Sequence, residues 1–268
     1  MIIDGRKISA EILDEVREHS TGVCVMRAVT VSPTPATVSY LNIKRRAAES
    51  AGMELEVVEL PENATTKEVI AAVLAPGADA VIVQLPLPAH LDEAEILQSV
   101  PTEKDADVLS PFTRERGTIL PPVAAAVDEI LMRADIHPEG KRVVIIGKGR
   151  LVGEPVAARL AERGAHVTSY DSHTFTSEVL KDADIIVSGA GVPHLITPGM
   201  LTQGVVLIDA ATSEQVTEHG SAVVGDIDPA CEPLASVYTP VPGGVGPITV
   251  ACLFRNVAQL RKANIKVD

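Results

Sequence analysis

The sequence predicts an α/β protein of two domains, each built around a parallel β-sheet. Three observations support this fold class: a length of 268 residues, short apolar segments that alternate with longer helical ones, and a break in that alternation between residues 101 and 123. A chain of this length buries roughly 70–75% of the surface that it exposes when unfolded. It therefore needs neither disulfides nor a structural metal for stability.

The first half of the chain reads as three consecutive β/α units. Short β-rich runs bounded by turn residues predict strands at 23–31, 54–60 and 78–85. Apolar residues at helical spacing predict helices at 6–20, 36–51 and 65–75. Gly52 ends the second helix, and the prolines of PLPAH stop the third strand.

The segment 101–123 carries four prolines among charged and turn residues, so little regular structure is expected there. Such a segment is typical of a binding loop or of a crossing between domains. A helix near 123–134 follows, and four strands are then predicted at 142–147, 165–170, 183–188 and 204–209. These strands resemble half of a dinucleotide-binding sheet. PVPGGVGP at 240–247 interrupts the pattern before a final helix at 248–263.

Composition excludes several classes of function. Only 2% of residues are aromatic and the net charge is −13, which argues against a nucleic-acid partner, since phosphates require a basic face and bases stack on aromatic rings. No apolar run approaches the roughly 20 residues of a membrane span, and the N-terminus is charged by residue 4, so we expect a cytoplasmic protein without a signal peptide. The three cysteines lack metal-ligand spacing, so no metal site is predicted.

A glycine-rich turn follows the strand at 142–147. Gly147, Gly149 and Gly153 stand between that strand and a helix, with one residue more than the usual fingerprint. Glycine allows a tight turn and a close approach of the backbone, and the helix N-terminus offers amide donors to a pyrophosphate. The turn therefore predicts a dinucleotide site, with an ordinary strand-to-helix turn as the alternative.

Residues near this turn favour different dinucleotides. Asp171 ends the next strand, where a carboxylate accepts hydrogen bonds from ribose hydroxyls and favours NAD. Lys148 and Arg150 within the turn could instead hold a 2′-phosphate and favour NADP. The residues by themselves leave this choice open.

Tyr40 and Lys44 lie four positions apart on the predicted helix 36–51, so their side chains can reach the same place. A lysine in apolar surroundings loses its proton more easily and can act as a general acid or base. A surface lysine beside a packed tyrosine is the alternative.

Six strings of residues, in this order, carry a resemblance over almost the whole chain. They are SYLNIK (39–44), VQLPLPAHLDE (83–93), PTEKDADVLSP (101–111), GKGRLVGEP (147–155), GDIDP (225–229) and TPVPGGVGPITVACL (239–253). The chain resembles the methylenetetrahydrofolate dehydrogenase/cyclohydrolase family, whose members oxidise 5,10-methylenetetrahydrofolate with a nicotinamide dinucleotide and hydrolyse the methenyl product to 10-formyltetrahydrofolate. QLPLP and PVPGGVGP are the most specific of these strings.

The resemblance implies a role for individual residues. Lys44 would be the acid/base of the cyclohydrolase step, Tyr40 would stack on or orient the folate, Gln84 would bond to Lys44, and Asp107 would anchor the pterin ring. The expected folate pocket also includes Leu85, Pro86, Pro242, Gly243, Gly244 and Val245. The expected dinucleotide site consists of Gly147, Lys148, Gly149, Arg150, Val152, Gly153, Asp171, Ser172, Ala190 and Gly191, and NADP is the expected cofactor, with NAD as the alternative.

The resemblance also implies an organisation. Residues 1–121 would form the catalytic domain, completed by the C-terminal helix 248–268, and residues 122–247 a Rossmann-type domain, with folate in the cleft between the two. Members of the family are usually homodimers and supply one-carbon units, including those for purine biosynthesis.

The chain departs from the family pattern mainly where the dinucleotide would be recognised. Lys148 and Gly149 replace an Arg-Ser pair, and Asp171 replaces a histidine. The expected string Pro-Cys-Thr-Pro appears as PPVA at 121–124. These departures leave three alternatives: a cyclohydrolase-dominant relative with weak or no dehydrogenase activity, a shikimate-dehydrogenase-like oxidoreductase, and a non-catalytic folate or dinucleotide sensor.

Overall fold

Strands and helices alternate along both halves of the chain. The computed structural model describes residues 1–20, 22–217 and 220–265. The first half contains α1 (Gly5–His19), β1 (Val25–Val31), α2 (Pro35–Ser50), β2 (Glu54–Leu60), α3 (Thr66–Leu74), β3 (Ala80–Val83), α4 (Glu93–Ser99) and α5 (Pro111–Arg116). The second half contains α6 (Pro122–Arg133), β4 (Arg142–Ile146), α7 (Gly153–Glu162), β5 (His166–Tyr170), α8 (Glu178–Lys181), β6 (Ile185–Ser188), β7 (Val205–Asp209), β8 (Ser213–Thr217), β9 (Gly220–Val224), β10 (Ala235–Tyr238) and α9 (Val245–Ile265).

Each half contributes one parallel sheet. The first sheet has the strand order β2-β1-β3, and the second has the order β10-β7-β6-β4-β5. Every strand pair within these two sheets is parallel, whereas β8 and β9 form a separate antiparallel pair. The predicted two-domain α/β fold with parallel sheets is therefore confirmed.

The central strands are apolar at successive positions because helices or loops cover both faces of a parallel sheet. Every residue of β3, β6 and β7 is buried. In the first sheet Val29 and Val83 pack with Val69 of α3 and Ile96 of α4. Several candidate site residues follow the carboxyl ends of strands in these sheets, whereas Tyr40 and Lys44 lie on α2.

The chain divides into two compact units, each made of two separate segments. The five-stranded unit comprises Met1–Ile8 and Val123–Thr249, and the three-stranded unit comprises Ser9–Pro122 and Val250–Asp268. The sequence assigns residues 1–121 to one domain, whereas the first eight residues belong to the five-stranded unit. The reason is local pairing, since the backbone N–H of Ile3 donates to the carbonyl of Tyr238 in β10 at 2.9 Å.

The structure corrects the predicted elements in four places. The segment 101–123, expected to lack regular structure, contains α5, which begins at a favourable Pro111 and ends at Gly117 with φ +62°. Helix α4 was not predicted, because its seven residues are too few for a helical period to stand out. The sheet of the second half has a fifth strand, β10, and the antiparallel pair β8 and β9 lies between β7 and β10 along the chain. Finally, α9 begins at Val245, inside PVPGGVGP rather than after it.

Asn256 ties α9 to the loops of the three-stranded unit. Its side chain is 3% exposed, and its Nδ2 donates to the carbonyls of Ala106 (2.9 Å) and Leu120 (2.8 Å). A buried carbonyl left without a donor costs about 1–3 kcal/mol. Asn264 lies about two turns further along the same helix. Its side chain makes the same kind of bond to the carbonyl of Glu103, but in an exposed position.

We expect Asn256→Leu to lower the free energy of unfolding by about 2–4 kcal/mol, because one buried and one partly buried carbonyl lose the donor that Asn256 supplies. Asn264→Leu is the matched control, since water can replace its amide, and it should cost less than about 0.5 kcal/mol. Urea unfolding of both variants measures the difference. Equal losses in the two variants would contradict this account.

Asp209, the last residue of β7, is a buried carboxyl group at the carboxyl edge of the second sheet. It is 2% exposed, and its two oxygens accept hydrogen bonds from the backbone N–H groups of Ile227 (2.7 Å) and Ala211 (3.1 Å). Burial, with the nearby Asp226 as a further cause, raises its pKa to about 7. The hydrogen bonds oppose this shift but do not cancel it.

Asp209 should make stability depend on pH. Between the ordinary pKa of 3.8 and the folded pKa of about 7, the folded state keeps a proton that the unfolded state has lost. The free energy of unfolding therefore falls as pH rises through this window, by roughly 4 kcal/mol, and becomes level above it. Urea unfolding at pH 4 to 8 should show a smaller fall for Asp209→Asn than for the unchanged protein, whereas parallel curves would refute the assignment.

Candidate active site

Lys44 lies on α2, one helical turn after Tyr40. The helix begins with Thr34, whose side-chain oxygen accepts a hydrogen bond from the N–H of Thr37 at 3.2 Å, and with Pro35 in its first turn. Lys44 is half-buried, and its Nζ donates to Oε1 of Gln84 at 2.9 Å. Tyr40 is more open, with 44% of its surface exposed.

Gln84 directly follows β3 and is fixed at three points. Its backbone N–H donates to the carbonyl of Val29 (2.8 Å), and its side-chain Nε2 donates to the carbonyl of Leu85 (2.9 Å). The remaining amide oxygen faces the ammonium group of Lys44. The bond from Nε2 to Leu85 orients the amide group so that its oxygen, the atom that can accept from an ammonium group, points to Lys44. The next peptide bond, Leu85-Pro86, is cis.

Asp107 reaches this place because its segment runs alongside β3. The N–H of Val81 donates to the carbonyl of Lys104 at 2.7 Å, and Val81 and Asp105 form a parallel bridge. The buried carboxyl group of Asp105 accepts from the N–H of Ser110 at 2.9 Å and so closes the turn that carries Asp107.

Lys44 and Asp107 influence each other's protonation. Burial lowers the pKa of Lys44, and the negative charge of Asp107 partly opposes this. Burial raises the pKa of Asp107, and the positive charge of Lys44 partly opposes that shift. Both groups therefore titrate closer to neutrality than they do in water, which suits an amine that must take up and release a proton.

The glycine turn of the five-stranded unit connects β4 to α7. A Cβ at Gly153 would lie 1.8 Å from the carbonyl oxygen of Gly147, and Gly147 itself has φ +104°, so both positions require glycine for packing or conformation. A Cβ at Gly149 would meet nothing within 4 Å, so packing does not explain that glycine. The open face at Gly149 and the uncapped first turn of α7 fit the close approach of a pyrophosphate.

Asp171 follows β5, the strand next to β4. Its carboxylate accepts from the side chain of Thr174 (2.7 Å) and from the N–H groups of His173 (2.9 Å) and Thr174 (3.0 Å). Chiefly these bonds, and to a smaller extent the charge of Lys148, lower the pKa of Asp171. The residue therefore holds its own turn and remains accessible beside the basic residues of the glycine turn.

Ala190 and Gly191 lie in the loop that follows β6, and this loop contacts the glycine turn. The N–H of Gly189 donates to the carbonyl of Ile146 at 2.8 Å. A Cβ at Gly189 would lie 2.4 Å from Cγ1 of Val152. Behind the loop lies Asp226, which is fully buried and which our sequence reasoning missed. In the sequence, Asp226 stands out only as part of the string GDIDP, in which an acidic residue follows a glycine.

The segment Pro242–Val245 is a packed turn that leads into α9, whose first residue is Val245. The Val241-Pro242 bond is cis, and the N–H of Gly5 donates to the carbonyl of Gly243 at 2.9 Å. A Cβ at Gly5 would lie 1.8 Å from the carbonyl oxygen of Gly244. Gly244 and Val245 are buried and Pro242 is exposed, so Pro242 is the more accessible end of this segment.

Membrane-spanning helices, metal-binding groups and disulfides are all absent from the part of the chain that the structure describes. Within residues 1–20, 22–217 and 220–265, no helix is both long and apolar enough to cross a membrane. In the same ranges, no group of three or more His, Cys, Asp or Glu side chains is arranged to hold a metal ion. The three cysteines, Cys24, Cys231 and Cys252, are buried and form no disulfide.

Both halves of the chain match one protein family. Residues 3–107 match the description "Tetrahydrofolate dehydrogenase/cyclohydrolase, catalytic domain", and residues 121–265 match "Tetrahydrofolate dehydrogenase/cyclohydrolase, NAD(P)-binding domain".

Individual relatives are similar along their whole length. The "Bifunctional protein FolD" of Wolinella succinogenes is 35% identical over 281 residues, which cover 97% of this chain and 96% of that protein. The FolD dehydrogenase/cyclohydrolase structure from Campylobacter jejuni has a TM-score of 0.92 at 32% identity and covers 98% and 99% of the two chains. The Trypanosoma brucei enzyme, whose structure holds an NADP cofactor and an inhibitor, has a TM-score of 0.93 at 33% identity and 99% and 98% coverage. The chain therefore belongs to the tetrahydrofolate dehydrogenase/cyclohydrolase family and contains both its catalytic and its NAD(P)-binding domain.

Proposed function

We propose that the protein oxidises 5,10-methylenetetrahydrofolate to the methenyl form with NADP⁺ and then hydrolyses it to 10-formyltetrahydrofolate, with Lys44 as the acid/base of the second step. The observation that carries this proposal is the half-buried Lys44, bonded to Gln84 at 2.9 Å and lowered in pKa by its burial. Family membership supplies the reaction, and this cluster supplies the proton chemistry that the reaction needs.

The first step requires alignment more than catalysis by charge. A bound NADP⁺ would supply the hydride acceptor for this step, and the two nitrogens that flank the methylene carbon would stabilise the positive charge left there. The chain's contribution is to hold the folate, for which Tyr40, Leu85, Pro86, Asp107 and the segment Pro242–Val245 are the proposed residues. A carboxylate at Asp107 can accept hydrogen bonds from N–H groups of the pterin.

The second step requires a base and then an acid. A water molecule adds to the methenyl carbon and must lose a proton as the C–O bond forms. Neutral Lys44 can take that proton and return one to N5 when the C–N5 bond breaks, and the hydroxyl proton leaves as the formyl group forms. Gln84 keeps the amine in place, and its carbonyl oxygen, which is neutral, does not raise the pKa of Lys44 as a carboxylate would.

The dinucleotide is proposed to bind at the glycine turn, against Gly149 and the N-terminus of α7. Gly147, Lys148, Arg150, Val152, Gly153, Ser172, Ala190 and Gly191 are the other proposed contacts. Lys148 and Arg150 can bind a 2′-phosphate. Asp171 lies near Lys148, whose positive charge contributes to the lowered pKa of Asp171.

The cellular setting is proposed from the family and the composition together. We infer a cytoplasmic homodimer that supplies one-carbon units, among other uses for purine biosynthesis, and that binds neither nucleic acid nor membrane. Analytical ultracentrifugation of the full chain tests the dimer.

The first alternative function is a cyclohydrolase-dominant relative, which is favoured by the departures at Lys148, Gly149 and Asp171. Steady-state assays with methylenetetrahydrofolate plus NADP⁺ or NAD⁺, and with methenyltetrahydrofolate, separate the two. Hydrolysis without measurable reduction of either dinucleotide would establish this alternative. Binding of folate and dinucleotide without any turnover would instead indicate a sensor.

Lys44→Gln should reduce enzyme-catalysed methenyl hydrolysis by about 10²- to 10⁴-fold, to the spontaneous rate, because the proton acceptor is lost. Some hydride transfer should survive, since that step needs no base. The exposed Lys67 on α3 provides the matched control, and Lys67→Gln should hydrolyse at the unchanged rate. Methenyl hydrolysis well above the spontaneous rate in Lys44→Gln would reject the role of Lys44.

Asp171→Asn should raise the ratio of kcat/KM with NADP⁺ to kcat/KM with NAD⁺ several-fold. The substitution removes a negative charge near the proposed 2′-phosphate site, and the amide oxygen can still accept from the N–H groups of His173 and Thr174. Asp182→Asn, which removes an exposed charge at the amino end of β6, serves as the control. If both variants keep the ratio of the unchanged protein, Asp171 does not face the dinucleotide.

A further inference from the structure

Asp226 is a fully buried carboxylate that gathers the loop following β6. Its Oδ2 accepts from the hydroxyl of Ser188 (2.7 Å) and from the N–H groups of Ala190 (2.7 Å) and Gly191 (3.3 Å). Its Oδ1 accepts from the N–H of Val192 at 2.7 Å. Three consecutive backbone N–H groups and the side chain of Ser188, the last residue of β6, thus donate to one residue that is 0% exposed.

The same loop lies directly on the glycine turn. A Cβ at Gly147 would be 2.6 Å from the carbonyl oxygen of Gly189, and a Cβ at Gly189 would be 2.4 Å from Val152. The loop and the turn are closely packed at these points, so a displaced loop would either collide with the turn or leave it uncovered. The position of residues 189–192 therefore decides the shape of the space beside the turn.

The bonds to Asp226 dictate what this loop can offer to a ligand. The N–H groups of Ala190, Gly191 and Val192 all donate to this buried side chain, so they are directed towards the interior. They are not available to a ligand. Contacts from this loop must come from its carbonyl oxygens and side chains, and these face where the carboxylate fixes them.

A second acid completes the support. A Cβ at Gly225 would lie 2.1 Å from Oδ2 of Asp209, so the segment that carries Asp226 is pressed against Asp209. Asp209 also accepts from the N–H of Ile227, the residue after Asp226. Burial raises the pKa of Asp209 to about 7, so around neutral pH this acid can carry a proton while Asp226 serves as the acceptor for the loop.

We propose that Asp226 is a positioning residue for the dinucleotide site: it holds residues 189–192 against the glycine turn in the conformation that binds NADP. The inference rests on the proposed function, in which Ala190 and Gly191 contact the dinucleotide. Asp226 touches no reacting atom and acts only through this loop.

The test compares Asp226→Asn with Asp228→Asn. Asn has the shape of Asp but places an NH₂ group where the carboxylate accepts, so at least one loop N–H or the Ser188 hydroxyl loses its acceptor. Asp228 is the matched control from the same GDIDP string, because its carboxylate caps an exposed turn by accepting from the N–H of Ala230 at 2.8 Å.

Two measurements read the loop without relying on turnover. Hydrogen exchange at the amides of residues 190–192 should become at least about tenfold faster in Asp226→Asn, while amides of β4 keep their protection. The Kd for NADPH, measured by calorimetry, should rise about tenfold. Asp228→Asn should match the unchanged protein in both measurements.

The outcomes separate positioning from mere support of the fold. Faster exchange at residues 190–192 with an unchanged Kd for NADPH would overturn the proposal, and so would unchanged exchange. If Asp226→Asn does not fold, Ser188→Ala removes one of the four donors and leaves the charge; it should weaken NADPH binding by about two- to threefold, and an unchanged Kd would overturn the proposal. If the unchanged protein binds no NADPH, the proposed dinucleotide function fails, and the exchange data still decide whether Asp226 holds the loop.

Discussion

Direct contact between backbones, permitted by glycine, is the constraint on which the five-stranded unit depends. A side chain at Gly153 would overlap the carbonyl of Gly147, and one at Gly5 would overlap the carbonyl of Gly244. The first contact sets α7 against the end of β4, and the second sets the N-terminus against the segment before α9. Because helix, strand end and loop are pressed together at these points, the positions of the candidate binding residues follow from packing rather than from flexible side chains.

Electrostatics follow from the same close packing. Lys44 lies beside Asp107, and Asp209 lies beside Asp226. Burial shifts the pKa values of Lys44, Asp107 and Asp209 away from their values in solution. The first pair combines opposite charges and suits proton transfer. The second pair consists of two acids, and backbone N–H groups donate hydrogen bonds to both of them.

The parts of the fold that the sequence predicts well are those governed by local pattern. Strands such as β4 and β7 are uninterrupted apolar runs, and α2 has a proline start and a glycine beyond its end. Helices α4 and α5 were missed because seven and six residues carry too little periodicity. Asp226 was missed for a different reason: its donors lie 34 to 38 positions earlier in the chain, and no local pattern reports such a contact. Gly149 could be singled out from its motif, but only the structure distinguishes it from Gly147 and Gly153, whose identity is required by packing.

The division of the chain bears on the order in which the protein can form. Met1–Ile8 belong with Val123–Thr249, and Ser9–Pro122 belong with Val250–Asp268. Domains of a growing chain ordinarily fold one after another, starting with the N-terminal domain. Here the unit that holds Lys44 lacks most of α9, with its Asn256 anchor, until the chain beyond Thr249 has been made. The other unit is finished at Thr249, although most of it is made after Pro122. The proton-transfer cluster therefore gains its complete surroundings only after the whole of the five-stranded unit has been synthesised.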